Sequence, residues 1–176
     1  MDLGSRNMFG RLSGLHGLTD FSLRQLIAWG DHLKVDQAQI DAQHEAIFNL
    51  ATHIADLWQK HADVGQVKAA AEKLAKVLDA HFRYEERELA RIGYPKLAEH
   101  RAEHKVMLDE LRRIRDRLDG MGQGTVQGEP GFLVLNFVLG VTIGHIFHSD
   151  MQYCVFARHA SGNDAEEEEG LGWPVS

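Results

Sequence analysis

The feature that most restricts this chain is a helical period written four times over, with histidines and carboxylates standing at positions where the period calls for apolar residues. From Asp41 to Gln59, in DAQHEAIFNLATHIADLWQ, the residues Ile47, Phe48, Ala51, Ile54, Ala55 and Trp58 recur at the spacing of one helix face, and Asp41 stands where an N-cap would. A second stripe runs from about Gly65 to Ile92 through Val67, Ala71, Leu74, Val77, Leu78, Phe82 and Leu89, and Gly93 is its expected stop. A third is expected to begin at Pro95, a favoured first helical position, and carries Leu97, Met107, Leu108, Leu111, Ile114 and Leu118. After the glycine-rich linker GMGQGTVQGEPG, Gly120 to Gly131, a fourth helix is expected from about Phe132 to Arg158. No strand alternation and no internal repeat interrupt this pattern. Four long amphipathic helices with mostly short connections predict an all-α fold, an antiparallel up-down-up-down four-helix bundle with an N-terminal arm.

Into these stripes the chain inserts groups that avoid a core. His44 falls on the first, His81 and Glu85 on the second, and His100 and His104 on the third. Residues four apart project from one helix face, and HFRYEERELARIGYPKLAEHRAEH sets two such pairs on either side of a Gly-Tyr-Pro turn. Burying an unpaired carboxylate or imidazole is expensive. A single buried histidine is ordinarily a hydrogen-bonded core residue, but several stripes sharing the anomaly point to a metal, which removes the cost. The fourth helix tests the idea, because a site in a bundle core should draw ligands from all the facing helices. It supplies HIFHSD, in which His145 and Asp150 are five apart, about 140° round an α-helix, and so flank an inward site. His148 is turned about 60° from His145 on the side away from Asp150 and is the poorer candidate. His53, nine residues beyond His44, falls half a turn off its stripe, and His16, His32, His61 and His159 lie at or beyond the helix ends. All five are expected on the surface.

Composition limits what such a site can serve. With 176 residues, 44% hydrophobic and 26% charged, the chain reads as one globular domain. The net charge of −7 and the lack of a basic stripe argue against a nucleic-acid partner. Cys154 is the sole cysteine, which excludes an intramolecular disulfide and any cysteine-based zinc or iron–sulfur site and fits a reducing cytoplasm. The opening MDLGSRNMFGRLSGLHGL lacks the marks of a secretory signal. The apolar run GFLVLNFVLGVTIGHIFHS approaches transmembrane length, but Asn136, Thr142, His145 and His148 are costly in lipid, so a buried core helix and no membrane partner are expected. The end, SGNDAEEEEGLGWPVS, is acidic; DAEEEE reads as a solvated run, and GLGWPVS is the stretch with the character of a docking peptide for a protein partner. The expected organisation is an N-terminal extension over 1–25, the bundle over 26–160 and an acidic, disordered tail over 161–176.

The candidate metal ligands are therefore His44, His81, Glu85, His100, His104, His145 and Asp150. One octahedral ion cannot use them all. Two six-coordinate ions bridged by both carboxylates and one solvent-derived oxygen use the whole set and keep one position open. A nitrogen-rich, thiolate-free, carboxylate-bridged set favours iron over calcium or magnesium, and zinc ordinarily takes four ligands. Manganese and other di-metal pairs stay open on the residues alone.

At these residues the chain resembles the bacterial hemerythrins. The resemblance covers about Leu26 to Phe156: AWGDHLKVDQAQIDAQHEAIF matches the family's arm and first ligand helix, followed by HFRYEE, HRAEH and HIFHSD. Each motif alone is weak, but seven ligand types in this order and spacing are specific. The resemblance implies a hemerythrin-like fold and two iron ions, diferrous or diferric with an oxo or hydroxo bridge. It implies His100, His104 and His145 on one iron, His44 and His81 on the other, and Glu85 and Asp150 bridging. It further implies reversible O2 binding at the five-coordinate iron, two electrons passing from the diferrous pair to O2 and returning. The corresponding function is an O2 carrier, buffer or store rather than an enzyme.

Ile47, Phe48 and Phe82, near their ligands, are expected in the core or the ligand pocket. Two positions depart from the family pattern. Val141 stands where a tryptophan is frequent, and His148 where a small or apolar residue is frequent; His148 is read as a surface residue, against the alternative of a histidine facing bound ligand. Other functions open to such a centre are O2 or redox sensing through a partner, and a di-iron enzyme acting on peroxide, nitric oxide or ferrous iron. A ferritin-like oxidase should show Glu-x-x-His pairs and more carboxylates than this histidine-rich set. Cys154, one turn beyond Asp150, is read as a packing residue.

Overall fold

Local signals set the helix ends and, through them, the depth of the polar residues. Helix α1 (Ala38–Gln59) begins three residues before Asp41, with Gln37 as its N-cap. The expectation of an Asp41 cap is corrected: its Oδ1 accepts the Val35 N–H at 2.7 Å, so the carboxylate ties the preceding arm to the first turn of α1. Helix α2 (Val64–Arg91) opens on a capping box in which Asp63 accepts the Gly65 N–H at 2.7 Å and the Gln66 side chain accepts the Asp63 N–H at 3.3 Å. It closes on Gly93 at φ 70°, with Tyr94 N–H donating to Leu89 C=O at 2.9 Å and Gly93 N–H to Ala90 C=O at 3.2 Å. That pair of bonds is the Schellman arrangement, and it needs a residue at ease with positive φ. Helix α3 (Leu97–Gly120) starts two residues later than Pro95, which lies in the turn instead.

The fourth arm is helical without a break but changes type. Helix α4 (Glu129–Leu139) passes into a π-helical segment (Gly140–Asp150) and then into α5 (Met151–Ala160). Side chains bond backward near both transitions: Thr142 Oγ1 donates to Val138 C=O at 2.9 Å and Cys154 Sγ donates to Asp150 C=O at 3.0 Å. Such back-bonds bend helices. The computed structural model describes residues 27–35, 37–122, 124–125 and 129–160; the extension over 1–25 and the tail over 161–176, with the docking-peptide expectation, lie outside the described residues.

Helix α1 packs on α2, α2 on α3, α3 on α4 and α4 back on α1, which closes a four-helix ring in chain order. The connections Lys60–Asp63 and Ile92–Lys96 are short enough to force antiparallel neighbours. The linker after α3 returns to the start of α2, where Val64 N–H donates to Gly124 C=O at 2.9 Å. Among the described residues no strand forms, and Asp63 and Thr125 make an isolated bridge. The fold is the all-α bundle expected.

Two apolar clusters fill the interior. The larger includes Ile54, Leu74, Leu78, Met107, Leu111, Ile114, Leu135, Phe137 and Val138. The smaller joins Val35, Ile40, Leu89, Tyr94, Tyr153 and Cys154 at the end of the bundle where α1 and α3 begin and α2 ends. Each fully buried aliphatic or aromatic side chain contributes about 1.5–3 kcal/mol relative to exposure. Helix Leu133–Ala157 is long and apolar enough to cross a membrane by length and composition. Here it is a wall of the bundle, and its Thr142, His145 and Asp150 are buried.

Candidate metal centre

Antiparallel packing carries four distant pieces of sequence to one depth. His44 sits near the start of α1, His81 and Glu85 near the end of α2, His100 and His104 near the start of α3, and His145 and Asp150 on the π-helical segment. The structure brings all seven together between the two apolar clusters, none more than 4% exposed. The π-helical form alters the expected geometry of the last pair. Its wider i→i+5 turn brings residues five apart nearer to one face than an α-helix, which would hold them about 140° from one another. His145 Nε2 consequently lies 3.2 Å from Asp150 Oδ1.

The seven side chains form two overlapping groups whose ligand atoms lie within 4.8 Å of one another: Glu85, His100, His104 and His145, and His44, His81, Glu85 and Asp150. Glu85 Oε2 is 3.0 Å from His100 Nε2, 3.2 Å from His104 Nε2 and 3.9 Å from His81 Nε2. Asp150 spans the groups with one oxygen each: Oδ1 lies 3.2 Å from His145 Nε2 and 3.6 Å from His100 Nε2, while Oδ2 lies 3.2 Å from His44 Nε2 and 4.0 Å from His81 Nε2.

The polar atoms of this centre do not satisfy one another. Both nitrogens of His44, Nε2 of His81, Oε1 of Glu85 and both oxygens of Asp150 are buried without a hydrogen-bond partner. The outer contacts sharpen the point. His104 Nδ1 lies 2.8 Å from Glu86 Oε1, His145 Nδ1 3.2 Å from Glu103 Oε2, and His81 Nδ1 3.1 Å from Gln43 Oε1. Carboxylate and amide oxygens accept, so each of these Nδ1 atoms carries the proton and its Nε2 turns a lone pair inward. His104 Nε2 and His145 Nε2 then face one another at 3.0 Å with no proton to share. A cation between the lone pairs turns repulsion into binding, so the donor set fits a metal.

Electrostatics point the same way. Burial holds His44 down to about 4 and His81 down to about 3, so both are neutral ligands at ordinary pH. Burial pushes the Glu85 carboxyl up, but a hydrogen bond from His100 and the neighbouring imidazoles of His104 and His81 outweigh it and hold the group well below the usual carboxylate range. Burial raises Asp150 well above that range, and the Glu85 charge adds to the effect. Burial lowers His100, yet the Glu85 carboxylate reverses the sign and leaves it raised. The hydrogen bond from His145 is the main cause that lowers Glu103.

Aromatic rings fix the imidazole planes. Phe82 lies flat on His104, ring centres 3.8 Å apart and planes 10° apart, and meets His145 edge-on at 5.6 Å. Trp29 from the arm meets His44 edge-on at 6.0 Å and packs on Phe48 at 5.5 Å. Ile47, Phe48, Phe82 and Val141 are buried in the larger cluster. His148 is exposed and bonds Gln152 at 3.3 Å; it lines a surface cavity of about 180 Å³ with His100 and Glu103, which is the surface reading rather than the ligand-facing one. His32, His53 and His61 are exposed as expected, while His16 and the side chain of His159 lie outside the described residues.

The sequence reading missed Trp29, Gln43, Glu86 and Glu103. Three of them had a signal: Gln43 precedes His44, Glu86 follows Glu85 and Glu103 precedes His104. Polar neighbours of ligands sit a step round the helix and reach across to a ligand on another helix.

Comparison with known proteins gives the same outline. The model of the hemerythrin HHE cation binding domain matches residues 35–154. The bacteriohemerythrin of Stenotrophomonas maltophilia (strain R551-3) is 26% identical over 151 residues, covering 84% of this chain and 92% of the relative. That of Pseudomonas aeruginosa (strain LESB58) is 26% identical over 149 residues, 84% of this chain and 92% of the relative. The myohemerythrin of Riftia pachyptila is 29% identical over 99 residues, 56% of this chain and 77% of the relative. No solved structure matches at a comparable level. A domain match that runs from the arm into the last helix, over a bundle that buries five histidines and two carboxylates at one depth, has one reading: the chain belongs to the hemerythrin family.

Proposed function

We propose that this protein binds O2 reversibly at a di-iron centre and serves as a cytoplasmic carrier, buffer or store. His100, His104 and His145 would hold one iron, His44 and His81 the other, and Glu85 and Asp150 would bridge. The observation that carries the reading is Asp150, which offers one oxygen to each histidine group, 3.2 Å from His145 Nε2 on one side and 3.2 Å from His44 Nε2 on the other. A carboxylate so placed serves two ions better than one. Five imidazoles without thiolate suit iron. When bound, a diferrous pair supplies the two electrons that reversible O2 binding takes up and returns.

The chain's own residues do the rest. Glu85, the charged carboxyl of the metal-free centre, and Asp150 balance cationic charge in a site closed to water. Trp29 and Phe48 cover the two-histidine side, where the open position would lie. Phe82 covers the three-histidine side and holds His104 in plane. An apolar cover of this kind keeps bound ligand from water and protons, which favours release of O2 over turnover.

Anaerobic reconstitution with ferrous iron, then cycles of air and deoxygenation, tests the proposal. Two irons per chain and a visible band that appears in air and disappears on deoxygenation are expected. Irreversible oxidation at the first exposure would shift the assignment to an enzyme or a sensor.

A further inference from the structure

The outward nitrogens of the candidate ligands meet different partners on the two sides of the centre. On the three-histidine side, His104 Nδ1 donates to the Glu86 carboxylate at 2.8 Å and His145 Nδ1 to the Glu103 carboxylate at 3.2 Å. On the two-histidine side, His81 Nδ1 donates to a neutral amide, Gln43, at 3.1 Å, and His44 Nδ1 is buried without a partner. Both carboxylates thus serve one half.

Each glutamate is also anchored across helices. Glu86 leaves α2 beside Glu85 but bonds a histidine of α3, and Arg101 Nε grips its second oxygen at 3.2 Å. Glu103 leaves α3 and reaches the π-helical segment, where Ser149 adds a hydrogen bond. The side chains of Glu86 and Glu103 are 25% and 35% exposed, so each is wet at one edge and reads in sequence as an ordinary surface charge.

A carboxylate that accepts the outer N–H of a ligating imidazole fixes its tautomer and raises its basicity, and a more basic ligand favours the more highly charged metal. An amide does this less, and an unpartnered nitrogen not at all. We propose that Glu86 and Glu103 are positioning residues that make the three-histidine half of the centre the stronger electron donor, with Gln43 leaving the two-histidine half the weaker one. The proposal rests on the two-metal reading above. Its consequence is a built-in inequality: of two otherwise identical ions, the one held by His100, His104 and His145 is oxidised first and the one beside Trp29 and Phe48 stays reduced longer.

The test uses the full chain with two probes. Cobalt(II) titrated into metal-free protein reports affinity without any O2 chemistry, and dye-coupled redox titration of the iron-loaded protein reports the midpoint potential. Glu86→Gln and Glu103→Gln should weaken cobalt binding about 10- to 100-fold and raise the potential of the iron-loaded protein, and Gln43→Glu should lower it. Glutamine keeps a hydrogen bond but not the charge. If both glutamine variants match wild type and only Glu86→Ala and Glu103→Ala fail, the residues act as structural props and the proposal is overturned. Reversible O2 binding with unchanged cobalt affinity and potential in the glutamine variants overturns this inference alone. Weaker cobalt binding in those variants, in a chain that does not bind O2 reversibly, upholds it and removes the O2 reading. A wild-type chain that takes up no cobalt overturns both.

Discussion

His44 isolates what a single ligand position costs the fold. Both of its ring nitrogens are buried without a partner, and its ring lies against the edge of Trp29. An unsatisfied buried polar group costs about 1–3 kcal/mol, and an apolar residue of similar shape removes that cost. His44→Leu should therefore stabilise the metal-free protein by up to about that amount in urea unfolding while reducing iron uptake. A metal-free variant less stable than wild type would show that His44 has a partner in solution.

The same residue sets a pH dependence. His44 and His81 are held near 4 and 3 in the folded chain, against an ordinary value of 6.5, so the unfolded chain binds protons first as pH falls. The share of stability that rests on these two neutral imidazoles is full above pH 6.5, declines as pH drops below it, and is lost once pH passes the folded values of about 4 and 3. Each proton contributes a slope of about 1.4 kcal/mol per pH unit inside that window. Urea midpoints of the metal-free chain across the window measure it, and the double variant His44→Leu/His81→Leu should flatten the curve. An unchanged slope would locate the titration elsewhere.

At the scale of elements, the turn between α2 and α3 sets how the two ligand-bearing pairs meet. Gly93 has φ 70° and open space where a Cβ would go, so any substitution cost there comes from backbone strain rather than collision. Gly93→Ala should cost about 1–2 kcal/mol and Gly93→Asn less, because asparagine tolerates left-handed backbone. Equal midpoints for the two variants would mean that the turn relaxes.

This turn was legible in the sequence because glycine at positive φ is a local requirement. The convergence of the candidate residues was legible for a different reason, since a histidine on an apolar stripe is conspicuous and the structure buries all seven together. The π-helical segment was not. The spacing of His145 and Asp150 was visible, but an α-helical ruler places the two about 140° apart, and helical periodicity alone does not announce the wider turn that brings them together. Asp41 likewise looked like a cap and instead holds the arm through Val35, a contact between segments that helical periodicity does not encode.

For the whole molecule, the question is how much of the fold depends on metal. The candidate centre lies toward one end of the bundle, closed by the smaller cluster around Tyr94 and Tyr153, while the larger cluster packs α1 to α4 with apolar contacts alone. Small zinc domains unfold without their ion because they have little else. Here the metal-free chain should keep its helices and lose only the binding term. A ligand that binds the folded state alone contributes about 2.7 kcal/mol at a hundredfold excess over Kd and about 4.1 kcal/mol at a thousandfold. At this size 1 kcal/mol moves Tm by about 2–4 °C, so loading with ferrous iron should raise Tm by roughly 5–15 °C. Scanning calorimetry and far-ultraviolet circular dichroism of the metal-free and loaded protein check both halves. Loss of helical signal on metal removal would make the centre the nucleus of the bundle rather than its guest. The His44→Leu variant connects the scales: its gain should appear in the metal-free chain, and iron loading should reverse the order, because the group that costs stability when bare is the one that the ion stabilises.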